Sequence, residues 1–408
     1  MEKRLAFTLF TLVAALTFGG LGVQANPDAP SARDVLVYAP TQADYFGMFD
    51  AKAVLPPALK FLRALPGHKL VGEFPEIKDE VNRMLGELEM GIGMAKSRLR
   101  FDVTTDVDWI AGFVSLKDGL DSPHVLIVAR GKFPDDAVTR IGSLMGMTSE
   151  TLDGRPMVRG EGRMGPMIAT GADGALLFGT PDLVEPRAKS SWKGKARKKV
   201  APTSFTGVVT ELMSRKPFLA FVSRPSEPLR DMIGSALRGQ QELAFLSDFL
   251  RNHTHFALAF HHDGVSWRWG ARSKDGLRVA ELASRGLIDV MRAGHLATRG
   301  FIRVFLAGLH SYEEVDPRYA TVVKHMDFII ELVSRYTGDG NFKAAVKIDK
   351  RKRTLKVDAR GKSLAEVFPI GALAGTVGAG AAFFMFQSMD KPPKSEPPKR
   401  EAPQQPAP

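Results

Sequence analysis

Two rhythms of apolar and polar residues alternate along the middle of this chain. Tyr45 to Phe49 is a short apolar run with the reach of a strand. From Ala51 to Leu65 the period changes, and Leu55, Leu59, Leu62 and Leu65 fall on one helical face. Pro56 and Pro57 fit only the first turn of that helix, because proline lacks the N–H that an interior turn needs. Glu76 to Met90 predicts a second amphipathic helix, with Val81, Leu85 and Leu88 inward. Trp109–Val114 and Val125–Ala129 read as buried strands, and Pro134 opens a helix through Met145. Residues 165–170 and 175–178 flank Gly171-Ala-Asp-Gly174, a hairpin turn.

The second half restates this order. Phe218–Val222 predicts a strand, and a helix opens at Pro228. Phe256–Phe260 and Val265–Ala271 form a hairpin, followed by a long helix from Asp275 to Met291. Phe342–Ile348 and Thr354–Val357 pair across Lys350-Arg-Lys-Arg353. Local sequence follows the same parallel. Ile110-Ala-Gly-Phe113 with Asp118-Gly119 matches Ala257-Leu-Ala-Phe260 with Asp263-Gly264, and Ala129-Arg-Gly-Lys132 matches Ala271-Arg-Ser-Lys274. The stretch 177–185 matches 359–366. Offsets of about 142 and 182 residues imply an insertion in the second copy, assigned to a helix from Arg318 to Arg335. The expectation is an α+β protein of two diverged tandem modules, 26–186 and 204–367, each an antiparallel sheet packed with helices. A single mixed sheet is the alternative.

The two ends follow a different grammar. Lys3 and Arg4 precede an uncharged apolar run, and Val23-Gln24-Ala25 places small residues at a cleavage site, so residues 1–25 predict a secretory signal peptide. Residues 368–389 carry no charge; as a helix they would be about 33 Å long, enough to cross a bilayer. Gly371 and Gly375 have the spacing that brings two membrane helices close, and mark a candidate helix–helix contact. The competing reading is a helix buried in the soluble body. The tail 390–408 is rich in Pro and Lys and cannot bury a core. Its lysines fit the cytoplasmic side of a membrane, leaving the body in the periplasm. A soluble periplasmic or secreted protein is the alternative.

Charge and cysteine content narrow the partners. The net charge is +11, with 56 basic and 45 acidic residues. That balance favours anionic surfaces such as lipid headgroups, while export makes nucleic acid an unsuitable partner. There is no cysteine, so thiol catalysis, thiolate metal sites and Cys-linked lipid anchors are excluded. Between the modules, 187–203 is a basic linker. Arg187, Lys189, Lys193, Lys195, Arg197, Lys198 and Lys199 surround Trp192, a candidate contact with anionic lipid or with another envelope protein. A solvated linker explains the same run.

Phe101-Asp-x-x-x-Asp-x-Asp-Trp-Ile, Gly131 before a helix, and the Asp153-Gly and Asp173-Gly turns follow a signal peptide, a strand and an amphipathic helix. In this combination residues 35–190 resemble uncharacterised secreted proteins of myxobacterial type. The resemblance implies repeated α+β modules and no particular activity.

Catalytic patterns are incomplete. Gly361-Lys362-Ser363 lacks the first glycine of a phosphate loop, that position being Lys356, and no nucleophile elbow or zinc-protease motif occurs. His253, His255, His261 and His262 cluster in sequence, but on a strand His255 and His261 lie about 20 Å apart and cannot share a metal. With Phe256, Leu258 and Phe260 on the core face, these histidines are expected to face solvent or a hairpin partner. Asp102, Asp106 and Asp108 miss calcium-loop spacing and suit a turn before a strand. No catalytic residue, cofactor or metal ligand is assigned. The expected function is that of a membrane-tethered, non-enzymatic envelope protein that binds or scaffolds. An envelope hydrolase acting on polysaccharide, which needs two facing carboxylates, and a lipid-handling carrier are the alternatives.

Overall fold

Alternation of buried and half-buried residues carries through β1 (Tyr45–Asp50), β2 (Val107–Ser115) and β3 (His124–Gly131), as expected of strands in the middle of a covered sheet. The computed structural model describes residues 29–67, 75–119, 122–162, 165–189, 204–238, 252–286, 288–289 and 343–360. The predicted signal peptide, the apolar segment 368–389 with Gly371 and Gly375, the tail and the 318–335 helix lie outside these residues. Among the described residues no helix is long and apolar enough to cross a membrane.

The protein is α+β. Twelve described strands form one antiparallel sheet, in the order β11-β12-β10-β9-β8-β1-β2-β3-β7-β6-β5-β4. The remaining strands are β4 (Thr148–Leu152), β5 (Arg155–Arg159), β6 (Met167–Thr170), β7 (Leu176–Gly179), β8 (Leu219–Ser223), β9 (His253–His261), β10 (Gly264–Ala271), β11 (Lys343–Asp349) and β12 (Thr354–Arg360). One sheet therefore takes the place of two. The join is β1, which pairs with β2 through Phe46↔Phe113 and with β8 through Phe46↔Val222.

Helices cover both faces. On the first face lie α1 (Ala32–Leu36), α5 (Pro181–Ala188) and α6 (Phe205–Met213). Ser31 and Asp34 cap α1 reciprocally, and Ser204 caps α6 by accepting from the Gly207 N–H. Their apolar sides close one continuous core over Phe46, Phe113, Leu126, Leu177 and Val222. The second face carries α2 (Ala51–Ala64), α4 (Ala137–Leu144) and α8 (residues 274–286), with α3 (Pro75–Leu99) and α7 (Glu227–Arg238) between strands of the same halves. Its core is divided in two. One cluster gathers Phe218, Phe260, Trp267 and Leu355, the other Phe101, Val138, Val158 and Ile168; Phe49 packs against both.

Helix ends differ from expectation for local reasons. α4 starts at Ala137, whose N–H bonds the Pro134 carbonyl in a preceding turn. α3 runs on to Leu99, past Gly91 and Gly93. The β4–β5 hairpin turns at Asp153-Gly154, with Asp153 at φ 49° and Gly154 at φ 75°.

Candidate functional site

Between the two clusters of the second face lie the central strands of the sheet. Register places Leu258, Phe221, Gly47, Gly112 and Ile127 in one row across β9, β8, β1, β2 and β3. Gly47 and Gly112 are direct partners, and among the described residues a Cβ built on either meets nothing within 4 Å. Phe221 and Ile127 thus face each other across about 14 Å, three strand spacings, over a floor without side chains. Phe221 is 41% exposed and Ile110, two residues from Gly112, is 37% exposed. Strand-interior glycine is unfavourable by about 0.5–1 kcal/mol, so two of them side by side under open space signal close approach by another molecule. The result is an apolar trough at the join of the two halves.

The sheet ends frame it. At one end Lys52 of α2 pairs with Asp108. At the other, the buried Asp44 carboxylate accepts the Leu116 N–H at 2.8 Å and the Ser226 N–H at 2.7 Å, tying the loops after β2 and β8 to β1. Tyr45 beside it has its hydroxyl pKa raised by burial and by the charge of Asp44. Farther along, Phe256 continues the second-face row of β9 after Leu258, and the pairing with β10 bulges at Thr254, whose hydroxyl lies 3.1 Å from His255 Nδ1. Arg230 of α7 meets the start of β9, its Nη1 donating to the carbonyls of Pro225 at 3.1 Å and Thr254 at 3.4 Å. Its side chain is buried, and its Nε has no partner among the described residues. Burial first, and then the charge of Arg272, lower its pKa. Arg272 pairs with Glu227, and Arg353 donates to the Arg272 carbonyl.

The opposite face holds the histidines. His253, His255 and His261 are buried and His262 is exposed; of the two expected surroundings, solvent or the hairpin partner, His261 takes the partner strand β10 and His262 the solvent. Both faces of β9 are covered here, so the residues between Phe256, Leu258 and Phe260 are interior as well. Burial, with Arg268 next, pushes His255 down to about 3. Burial, with Arg215 next, pushes His261 down to about 4, and its Nε2 lies 2.8 Å from Ser266 Oγ. Nearby, Glu211 of α6 is shared by the buried Arg268 and by Lys356. Among the described residues no group of three or more His, Asp or Glu is placed to hold a metal.

In the first half, His124 is buried between two carboxylates, 2.5 Å from Asp118 and 2.7 Å from Asp182. Burial alone would raise the Asp182 pKa, but His124, Thr180 and Lys117 together hold it down. Asp102 accepts from the N–H and hydroxyl of Thr104, and Asp106 from the Asp102 N–H, so these carboxylates build the turn before β2.

Of the basic run, only Arg187 and Lys189 are described. Arg187 donates to the Tyr38 carbonyl at 2.7 Å and the Leu183 carbonyl at 2.5 Å, and Lys189 lies 3.6 Å from Glu185. Trp192, Lys193, Lys195, Arg197, Lys198 and Lys199 lie outside the described residues.

No protein-family model and no curated protein sequence matches the chain. One solved structure, described as crystal form I of TP0453, aligns with a TM-score of 0.35 and 10% identity, covering 82% of this chain and 96% of its own. Nothing below rests on that likeness.

Proposed function

We propose that this chain is an exported, membrane-tethered binding protein whose ligand is an apolar chain lying in the trough over Gly47 and Gly112. One observation carries the reading: two paired glycines in central strands, with open space above and the partly exposed Phe221 and Ile110 beside them. Packing among the described residues gives no reason for either glycine. A carrier does, since a side chain at either position would occupy the ligand's place. The signal peptide and the uncharged segment 368–389 supply export and tether.

The two halves act as diverged copies of one module. Read outward from the join, β1-β2-β3-β7-β6 and β8-β9-β10-β12-β11 have the same order. Each is preceded by a first-face helix, α1 or α6. β1 and β8 are antiparallel, so the trough lies at the approximate twofold relating the copies, with α2 against β2 at its Lys52 end.

The absence of cysteine makes a direct test simple. Gly112→Cys in the full chain, in membranes from expressing cells, provides one thiol on the trough floor, with Leu282→Cys on exposed α8 as control. Dodecanol is expected to slow maleimide labelling at position 112 several-fold and leave position 282 unchanged. Equal labelling at position 112 with and without dodecanol overturns the proposal. Loss of the tether is read separately: removing residues 368–408 should release the protein from carbonate-washed membranes.

A further inference from the structure

Resting on the trough reading, the geometry points to a ligand with an anionic head as well as an apolar chain, the head held at Arg230. Three observations meet there. The trough runs along β1 from Phe49 to Tyr45, whose partner on β8 is Ser223, and the Pro225 carbonyl two residues farther on accepts from Arg230. The four steps from Phe49 to Tyr45 cover about 13 Å of an extended chain.

Arg230 is itself 8% exposed, and its Nε has no partner among the described residues. A guanidinium has five N–H donors, and a buried one is stable only when an acceptor meets the remaining donors. A carboxylate or phosphate oxygen fits this geometry best.

The surroundings are cationic. Arg224 follows β8, Arg272 follows β10, and Arg353 donates to the Arg272 carbonyl. Glu227, paired with Arg272, and the exposed Asp231 oppose them. Arg272 and Arg224 lie close enough for their charges to act on Arg230, with Glu227 and Asp231 opposing, so an anion at the Arg230 Nε would be drawn by neighbouring cations as well as by Arg230 itself.

The occupant is therefore a single-chain anionic lipid. A diazirine-bearing hexadecanoate, added to membranes containing the full chain, tests both parts. Labelling is expected in the peptides carrying Tyr45–Asp50 and Val107–Ser115. Unlabelled hexadecanoate and hexadecyl phosphate should compete at concentrations at least tenfold lower than hexadecanol. Arg230→Met should abolish that preference while chain labelling persists. Equal competition by hexadecanol in the unmutated protein overturns the head site and leaves the trough standing, with no dependence on how the variant folds. An anion preference that survives in Arg230→Met also overturns it. Failure to label either strand removes the trough, and the inference with it.

Discussion

At the scale of single residues, buried polar groups decide more here than large apolar ones. Asp44 accepts two backbone N–H groups from loops on opposite sides of β1. Asp44→Ala leaves both donors in the interior, and chemical denaturation should show a loss of about 3 kcal/mol, with Asp44→Asn costing less because one oxygen remains. A loss below the error of the measurement would remove Asp44 as the clasp. The histidines of β9 set an acid limit. An unfolded histidine takes up its proton near pH 6.5, while His255 and His261 resist protonation to about 3 and about 4. Between those values the unfolded chain binds more protons, so stability falls as pH drops below about 6.5. His261→Gln should flatten that acid limb when stability is followed from pH 7 to 4; an unchanged limb would contradict the assignment. Sequence clustered four histidines and offered solvent or the hairpin partner, which His262 and His261 respectively take, but it did not show that three of them are buried. Alternation assigns one face of a strand to the core and cannot tell when a helix such as α6 covers the other.

Among elements, legibility followed burial. β2, β3, β8, β9 and β10 alternate strongly and were readable to within a few residues. The β4–β5 hairpin was missed because four of the five β4 residues are exposed, so an edge strand in solvent leaves no apolar rhythm. α1, α5 and α6 were missed for a different reason: each has nine residues or fewer and is held by packing on the first face more than by its own periodicity. α3 is the reverse case. Its stripe Val81, Leu85 and Leu88 announced an inward face, yet no described α3 side chain is fully buried, and Leu88, Met90 and Met94 are well exposed. Helices with few buried contacts open at low free energy. Hydrogen exchange should therefore find α3 amides exchanging at least a hundredfold faster than those of β1. Equal protection would mean that the stripe is covered.

On the scale of the whole molecule, matching segments such as 110–113 and 257–260 led to an expectation of two modules with a sheet each, and the pairing of β1 with β8 puts all the described strands in one sheet. The trough follows from that fusion. Glycine within the apolar runs Tyr45–Phe49 and Trp109–Val114 is a local sign of close approach, and it becomes a site only when register sets Gly47 against Gly112. Arg230 carried no sequence signal, because its meaning depends on a carbonyl of β9 and on arginines that follow other strands.

The trough is tested most directly by filling it. Gly112→Val places a β-branched side chain in space where no atom lies within 4 Å of its Cβ. Binding of radiolabelled dodecanol by the full chain should fall at least tenfold, while thermal denaturation shows stability unchanged or raised by about 0.5–1 kcal/mol. Undiminished binding in a folded Gly112→Val protein would contradict the account, because the open floor at the join of the two halves would then not be where the ligand lies.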